Sequence, residues 1–419
     1  MSLSRAARDW RHIDDKCCEV MHPWDESCFR TTVGMFYRMV PRCFRLYLPL
    51  YTISDLLIHG FSLKMLVTRT LPNVIRSTTF LSVQGTLLLT VSCLLRRLLG
   101  HFYLYTPVFL PMLTSSFIGI LIERKERRSP LATYACMEAL YGLYYAFKSR
   151  GMVTPLPHGE VLLFSFAMSL LCHSMEHNGR DISVSILRFL LTPHFPIVNG
   201  SIVESLCHTT SLRQYPKITF LLSLAETGCW SFLLGYCGKS LGSAITGFLK
   251  KRNFSNLLRP WSHYNNVQLG LFLGVLTMIY KLALAIFRRL LLPLSKASYL
   301  AGAVAGMSMM LWKSPSTALY TAVKAIEIVY WKMAGNGLLP IIHHADVPIY
   351  SLATAIIVHL SLYEPDHITK HYWTFIRNIT GNRVAEFNFQ KLYPMGVAPS
   401  KRYSQPDADP DDYSQKHRT

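Results

Sequence analysis

Apolar windows long enough to cross a lipid bilayer recur along the whole of this chain. A helix needs about 20 apolar residues to span the hydrocarbon core, and nine windows reach or approach that length: 78–95, 102–122, 129–147, 161–175, 218–237, 264–287, 297–312, 314–333 and 347–363. Of the 419 residues, 50% are hydrophobic and only 16% are charged, whereas about 25% are charged in a soluble domain. The chain is therefore predicted to be an all-α membrane protein. The same composition excludes a disordered chain, a collagen and a disulfide-knotted secreted domain.

The windows and the polar stretches between them divide the chain into five segments. Residues 1–45 are predicted to be a cytosolic N-terminal segment with Cys and His residues, and 46–180 a first membrane unit that opens with an interfacial helix over 46–61. Residues 181–261 form a linker with one uncertain membrane segment, and 262–366 form a second membrane unit. Residues 367–419 are predicted to be a cytosolic tail, disordered after about residue 395, where Asp and Pro are frequent.

An internal repeat underlies the two membrane units. A shift of 186 residues superposes nine identical pairs over forty positions without a gap, and these pairs include Gly151 with Gly337 and His158 with His344. The chain thus contains two tandem copies of a four-helix unit, over about 70–180 and 262–366. Because an even number of crossings returns the chain to its starting side, the copies are predicted to be parallel, with both termini cytosolic. The window 218–237 is then predicted to be re-entrant, interfacial or paired with a second crossing.

Small residues spaced by four mark places where helices can approach closely in a membrane. Two such pairs, Gly270 with Gly274 and Gly302 with Gly306, are predicted to pack helices together, and Ala301 extends the second pair. A pore-lining role for these residues is the alternative.

Charged residues inside membrane windows are costly and normally have a partner or face water. Lys324 and Glu327 are three residues apart, so they share one face of a helix and can form an ion pair. Glu138 occupies the position of Lys324 in the first copy of the repeat. Either these charges fix the register of the helices, or they line a path for a solute or a proton.

Cysteine and histidine side chains in the N-terminal segment are ligand types that suit zinc. Cys18, His22 and Cys28 are the candidates, and a fourth ligand could be Cys17 or Cys43. Their spacing matches no closed structural zinc motif, so no metal centre is assigned. Packing against the membrane helices or sensitivity to oxidation is the alternative interpretation of this cluster.

No phosphate loop, dinucleotide fingerprint, nucleophile elbow or zinc-protease motif occurs in the sequence, so no catalytic residue and no cofactor is predicted. Thiols inside apolar windows, Cys93 among them, are interpreted as small hydrophobes. Basic residues are dispersed among helix ends, which argues against binding of nucleic acid. The run Arg124, Lys125, Arg127 and Arg128 is either a topology signal or a contact for anionic lipid or an acidic partner.

Several ungapped strings resemble the transmembrane protein 135 family, also called peroxisomal membrane protein 52. The first half carries them at 95–100, 120–128 and 159–164, and the second half at 268–270, 305–310 and 344–346. The N-terminal group Cys18, His22, Trp24 and Cys28 is similar as well. The second half also looks distantly like the four-helix mitochondrial preprotein translocase fold, through Ala301, Gly302 and Gly306.

The resemblance implies a non-enzymatic multipass protein of mitochondrial and peroxisomal membranes. The family is associated with the balance of mitochondrial fission and fusion, through the dynamin-related fission GTPase, and with peroxisome organisation and lipid metabolism. The alternative is a solute or lipid carrier built on the duplicated unit, with Glu138, Lys324 and Glu327 lining its path. The oligomeric state is left open.

Overall fold

The computed structural model of this chain is built from α-helices. The structure describes residues 12–59, 64, 66–175, 191, 216–251, 264–397 and 400. Within them lie thirteen α-helices: α1 (Cys17–Val20), α2 (Cys28–His59), α3 (Leu71–Leu99), α4 (Phe109–Ile122), α5 (Lys125–Ser149), α6 (Gly159–Met175), α7 (Pro216–Lys251), α8 (Tyr264–Arg289), α9 (Leu294–Gly306), α10 (Pro315–Gly335), α11 (Asp346–Tyr363), α12 (Lys370–Thr380) and α13 (Phe389–Leu392). The one β-bridge in this part of the chain joins Ile13 to Phe102.

Four helices of the described residues are long and apolar enough to cross a membrane. They are Leu66–Leu99, which comprises α3 and the turn before it, Phe220–Ala244 in α7, Asn266–Arg289 in α8, and α11. The apolar helices α4 and α6 are shorter, with 14 and 17 residues. Helix α10 covers the predicted window 314–333 but carries Lys324, Glu327 and Lys332, so its composition alone does not qualify it as a span.

Large apolar side chains are exposed on α4 and α6. Phe117 and Ile118 are each 48% exposed, and Leu162 and Phe166 are each 58% exposed. Extended exposed apolar surface is unusual on a soluble monomer and is expected where lipid covers the protein. Together with the candidate spans, this surface confirms the predicted all-α membrane fold.

Sequence signals set the ends of the helices. Helix α10 begins after Ser314, whose hydroxyl accepts a hydrogen bond from the Thr317 amide, and Pro315 occupies the first helical position. Helix α3 ends at Gly100, which has φ 77° and donates its amide to the Arg96 carbonyl. This left-handed conformation costs glycine little, so the chain can turn sharply there.

Contacts group the helices into two compact units that do not coincide with the tandem segments 46–180 and 262–366. Unit 1 comprises Met1–Thr154 with Ile342–Thr419, and unit 2 comprises Pro155–Ile341. Helix α6, the fourth helix of the first copy, packs against α9 and α10 of the second copy. Helix α11, the fourth helix of the second copy, packs against α4 and α5 of the first. Each unit is thus completed by a helix from the other copy.

The backbone reproduces the repeat at the turn before each exchanged helix. Gly151 and Gly337 have φ of 70° and 74°, and His158 and His344 have φ of 58° and 59°. Left-handed backbone is uncommon in residues other than glycine. Its recurrence at matched histidines shows that the two copies share one local conformation.

A fifth helix belongs to each copy. Helix α2 packs against α3 in unit 1, and α7 packs against α8 in unit 2; a shift of 186 residues places α2 over α7. The stretch 46–61 is therefore no separate interfacial helix, because up to His59 it is the second half of the 32-residue α2. The window 218–237 lies within one long helix, α7, which contains a candidate span.

One helix pair in each unit joins the two copies of the repeat, and both pairs are antiparallel. In unit 2, His173 near the end of α6 lies 3.3 Å from the carbonyl of Ser295 at the start of α9. In unit 1, the Tyr363 hydroxyl at the end of α11 donates to the Leu104 carbonyl just before α4 (3.1 Å). The two units therefore share one way of pairing the exchanged helix with the other copy. The parallel arrangement of the copies stays a prediction.

Both ends of the described chain fold together on unit 1. We call residues 12–27 and 364–397 the terminal cap. The Trp24 ring stacks on Phe387 with 6.1 Å between centroids, and the Arg383 guanidinium lies 4.6 Å from the Trp24 ring centroid. The Asn388 amide donates to the Val20 carbonyl (2.9 Å). The predicted tail is thus folded as far as residue 397, and the stretch expected to be disordered lies almost entirely outside the described residues.

Ion pairs place the terminal cap at one end of unit 1. Lys391 pairs with Asp15 at 2.8 Å and with Glu19 at 2.5 Å. Arg150, just after α5, pairs with Glu364, just after α11. The cap therefore covers the end at which α3, α5 and α11 finish and α2 and α4 begin, which we call the cap end.

Candidate metal centre

Four potential metal ligands meet where the terminal cap joins α3. The side chains are Cys17, His22, Cys28 and Cys93, and their ligand atoms all lie within 4.8 Å of one another. The Sγ atoms of Cys17 and Cys28 are 3.2 Å apart. His22 is fully buried and the three cysteines are half-buried.

A tight turn brings the first three ligands together. Helix α1 is a single turn, and the amides of Met21 and His22 both donate to the Cys17 carbonyl (2.8 and 3.2 Å), which folds His22 back over Cys17. The carboxylate of Asp25 then accepts the Ser27 amide (2.9 Å), a local turn of the kind that often precedes a helix. Helix α2 begins at Cys28.

Backbone contacts hold this turn against the end of α3, which supplies Cys93. The amide of Ile13 donates to the Phe102 carbonyl and the amide of Phe102 to the Ile13 carbonyl, each at 3.0 Å. Arg96 donates to the carbonyls of Asp14 and Asp15 at 2.5 and 2.9 Å. The cluster is thus assembled from two elements that are far apart in sequence.

The hydrogen bonds of His22 leave one ring nitrogen for a ligand. Its Nδ1 lies 2.8 Å from the Asp25 carbonyl oxygen; because a carbonyl can only accept, Nδ1 carries the proton and Nε2 does not. Nε2 is buried and has no hydrogen-bond partner among the described residues. Histidines that bind metals are commonly oriented by such a bond to a backbone carbonyl.

Electrostatics concentrate negative charge on one sulfur of the cluster. The neighbouring Cys93 thiol and then the His22 imidazole favour the charged sulfur and lower the pKa of Cys17 to about 4. Burial, and then the neighbouring Cys17, raises the pKa of Cys28. Burial is the largest single influence on His22 and disfavours its charged form, but the neighbouring Cys17 and the Asp25 carbonyl together outweigh burial, so the His22 pKa is raised. The cluster therefore favours a thiolate at Cys17, the form in which sulfur binds metals.

Two of the three sequence candidates lie in this cluster and one does not. His22 and Cys28 contribute, whereas Cys18 stays outside it and Cys17 and Cys93 complete the set. Sequence reasoning missed Cys93 because an isolated thiol in an apolar window is normally a small hydrophobe. Only the packing of α3 against the N-terminal segment brings it within reach.

Arg127, from the run 124–128, turns inward at the opposite end of α3. Its guanidinium lies 4.7 Å from the Tyr51 ring centroid and donates to the Ser77 hydroxyl at 2.6 Å. It also lies 3.4 Å from the carboxylate of Glu123, which is 2% exposed. We call Tyr51, Ser77, Glu123 and Arg127 the polar corner.

The side chain of Arg128 also binds inside the fold. It is 8% exposed and donates to the carbonyls of Glu123 and Leu121 at 3.1 and 2.8 Å. Arg124 and Lys125 are exposed. Only these two of the four predicted basic residues are presented for contact with lipid or a partner.

The predicted intramembrane charges have partners inside their own units. Lys324 and Glu327 form an ion pair with 2.8 Å between Nζ and Oε2. Glu138 accepts hydrogen bonds from the hydroxyls of Thr369 (2.8 Å) and Tyr134 (3.2 Å). This geometry favours a structural role for these residues over a solute path.

The paired glycines lie where helix backbones touch. A Cβ added to Gly306 would overlap the Ser165 Cα, and one added to Gly302 would stand 2.7 Å from the Met168 carbonyl oxygen. A Cβ on Gly270 or Gly274 would stand 2.9 Å from a carbonyl oxygen of α7. Ala301 is fully buried. Close packing of helices explains these residues.

This chain is an all-α multipass membrane protein. The class is defined by the four candidate spans, by the helix pairs that touch at glycines, and by the thiol-rich N-terminal segment that packs against them. Residues 14–145 match the family model for the N-terminal cysteine-rich region of transmembrane protein 135, which includes all four clustered ligands. The match covers about a third of the chain and agrees with the resemblance of its strings to the transmembrane protein 135 family. No solved structure matches the chain.

Proposed function

We propose that this chain is a non-enzymatic protein of mitochondrial and peroxisomal membranes that regulates the balance of mitochondrial fission and fusion. A role in peroxisome organisation and lipid homeostasis accompanies that activity. The family match supports the proposal. The observation that carries it is the terminal cap, in which both ends of the described chain form one folded surface suited to a protein partner.

The cap end faces the cytosol in this proposal. Cys17, Cys28 and Cys93 are free thiols, and clustered free thiols are typical of a reducing compartment. Basic residues also lie at the ends of the helices that finish there, as the positive-inside rule expects on the cytosolic side; they include Arg96, Arg97, Lys148 and Arg150. Both termini are then cytosolic in this proposal, in agreement with the prediction from the sequence.

A basic groove on the cap end is the proposed contact for the dynamin-related fission GTPase. The groove has a volume of about 210 Å³ and is lined by Trp24, Arg30, Arg38 and Arg383, among others. Arginine beside an aromatic ring is a common anchor for a partner protein. Arg124 and Lys125 lie near the polar corner, at the other end of α3, so they cannot share this contact if α3 crosses the membrane.

Acute, degron-driven depletion with re-expression tests the proposal. Mitochondrial length, recruitment of the fission GTPase and organelle lipid content are followed at short intervals after depletion. We expect fission to fall before lipid content changes, and the double variant Arg30→Glu with Arg38→Glu to fail to restore it. The matched control carries Arg124→Glu and Lys125→Glu and restores fission. Lipid changes that precede the loss of fission, or full rescue by the groove variant, contradict the proposal.

A carrier of solutes or lipids is the second candidate function. Two copies of a repeat that exchange a helix favour it, because many transporters are built from internal repeats. Unit 1 also holds an apolar cavity of about 150 Å³, lined in part by Met39, Phe80 and Leu89. Small-molecule sites usually measure about 300–1,000 Å³, so this cavity is too small for a lipid. The carrier therefore ranks second, and an early change in lipid content in the depletion experiment would favour it.

A further inference from the structure

We propose that Cys17, His22, Cys28 and Cys93 bind one Zn²⁺ ion in a closed, four-coordinate site that fastens the N-terminal segment to α3. The inference is independent of the proposed function, because it concerns how this end of the fold is held together. A closed set of four protein ligands leaves no position for a substrate, so the site is structural.

The donor set and its spacing suit zinc. Three cysteine sulfurs and one imidazole nitrogen form a recognised structural zinc set, and a tetrahedral ion with Zn–S bonds of about 2.3 Å holds its sulfurs about 3.8 Å apart. Here the ligand atoms all lie within 4.8 Å of one another, and the sulfurs of Cys17 and Cys28 are 3.2 Å apart. Small side-chain rotations bring all four to tetrahedral distances. Thiolate-rich sites disfavour magnesium and calcium, which bind oxygen.

The buried imidazole provides an independent indication of a ligand. Nδ1 of His22 is occupied by the Asp25 carbonyl, and Nε2 is buried without a hydrogen-bond partner in the described part of the chain. A buried polar atom without a partner is uncommon and requires an explanation. A metal ion bound to Nε2 satisfies that atom and uses the orientation that the Asp25 carbonyl imposes.

A disulfide between Cys17 and Cys28 is the competing explanation of the short sulfur separation. It would use two of the four ligands and leave Cys93 beside a bonded pair, with Nε2 of His22 still lacking a partner. It would also require an oxidant. A zinc ion accounts for all four side chains at once.

The histidine and aspartate cluster nearby is a weaker candidate and carries no proposal. His12 and His101 both face the Asp14 carboxylate, but all three side chains are substantially exposed. Exposed groups of this kind form hydrogen bonds with water and need no metal ion.

Metal analysis of the purified full chain tests the zinc site. The protein is purified in detergent under reducing conditions and its metals are measured by inductively coupled plasma mass spectrometry. We expect one zinc per chain in the wild type and loss of zinc in Cys93→Ser and His22→Ala. Cys18→Ser is the matched control, because Cys18 is adjacent to Cys17 but outside the cluster, and it keeps its zinc.

If a ligand variant fails to fold, a second measurement on the wild type tests whether the four side chains bind zinc. Native protein is alkylated with and without a zinc chelator, and each modified cysteine is mapped by mass spectrometry. We expect Cys17, Cys28 and Cys93 to become reactive together only after chelation, while the reactivity of Cys18 is unchanged. Four results would each overturn the proposal. They are wild-type protein that contains no zinc, wild-type protein that contains another metal instead, a Cys17–Cys28 disulfide in protein freshly prepared under reducing conditions, and zinc that is retained in Cys93→Ser.

Discussion

The two ends of α3 are joined to their neighbours by different chemistry. At the polar corner, the carboxylate of Glu123 accepts from Ser77, and Ser77 also meets Tyr51 and Arg127. At the cap end, three thiols and a buried imidazole face one another, and Nε2 of His22 has no hydrogen-bond partner among the described residues. At the polar corner, protein atoms alone satisfy the buried polar groups. At the cap end, the buried imidazole and the thiols need the proposed zinc ion to be satisfied.

That difference separates two ways of fastening a helix in a membrane protein. Buried polar groups that satisfy one another can be removed one at a time, each with a bounded cost. A metal centre couples four side chains, so the loss of any one ligand releases the whole connection. Substitutions at the two ends should therefore differ in kind as well as in size.

The largest effect is expected from Cys93→Ser. Apparent binding free energies of structural zinc reach about 10–16 kcal/mol in zinc-finger peptides, so loss of the ion should loosen the N-terminal segment, which then depends on contacts such as those of Ile13 and Arg96 to meet the end of α3. Limited proteolysis should then cleave after Lys16, an exposed residue whose backbone is folded at the start of α1, while Cys18→Ser resists cleavage like the wild type. Equal protection of Cys93→Ser and the wild type would remove the proposed difference between the two ends.

At the polar corner, Glu123→Ala is expected to lower stability without affecting zinc. Removing one partner of a buried ion pair costs about 3–5 kcal/mol. Arg127 is 34% exposed, so we expect about 2–4 kcal/mol here. Thermal unfolding in detergent measures the loss, and metal analysis should still show one zinc per chain. The exposed neighbour Glu126, changed to Gln, provides the control, with an expected effect within about 0.5 kcal/mol.

Much of this fold could be predicted from the sequence, and the exceptions have physical causes. Apolar windows predict the spans because a bilayer demands them. The sequence did not predict helix α2 because arginines interrupt its apolar residues, so it contains no apolar window. Its buried positions Met35, Met39, Cys43 and Tyr47 nevertheless recur every four residues. Counting those positions as one helical face would have given the first copy its fifth helix.

The candidate site was only partly predictable. His22 and Cys28 stand out because they cluster in a polar segment, and Trp24 lies beside them. Cys93 carries no local signal, since its partners are assembled by tertiary contacts such as those of Arg96 with the carbonyls of Asp14 and Asp15. Ligands that come from distant elements are set by the fold, which the spacing of residues along the chain does not reveal.

A moderate effect is expected within the terminal cap from Trp24→Ala. The half-buried Trp24 stacks on Phe387 and meets Arg383, and removing it should weaken cap contacts by about 1–3 kcal/mol. Proteolysis after Arg383 should accelerate while zinc stays bound. The exposed Phe29, which is 78% accessible, serves as the control in Phe29→Ala. Loss of zinc in Trp24→Ala would show that zinc binding requires the packing of Trp24 in the cap, and would contradict the expectation that zinc stays bound.

The smallest effect is expected from Lys391→Met, which removes the ion pairs with Asp15 and Glu19. Exposed ion pairs contribute little because water and salt screen them and because long side chains lose freedom when they pair. We expect a slight acceleration of proteolysis in the N-terminal segment at low salt, and no difference from the wild type at high salt. Lys148→Met, at the same end but outside the cap, should match the wild type at both. A large effect of Lys391→Met that persists at high salt would mean that charge pairing, rather than the metal centre, holds the two terminal segments together.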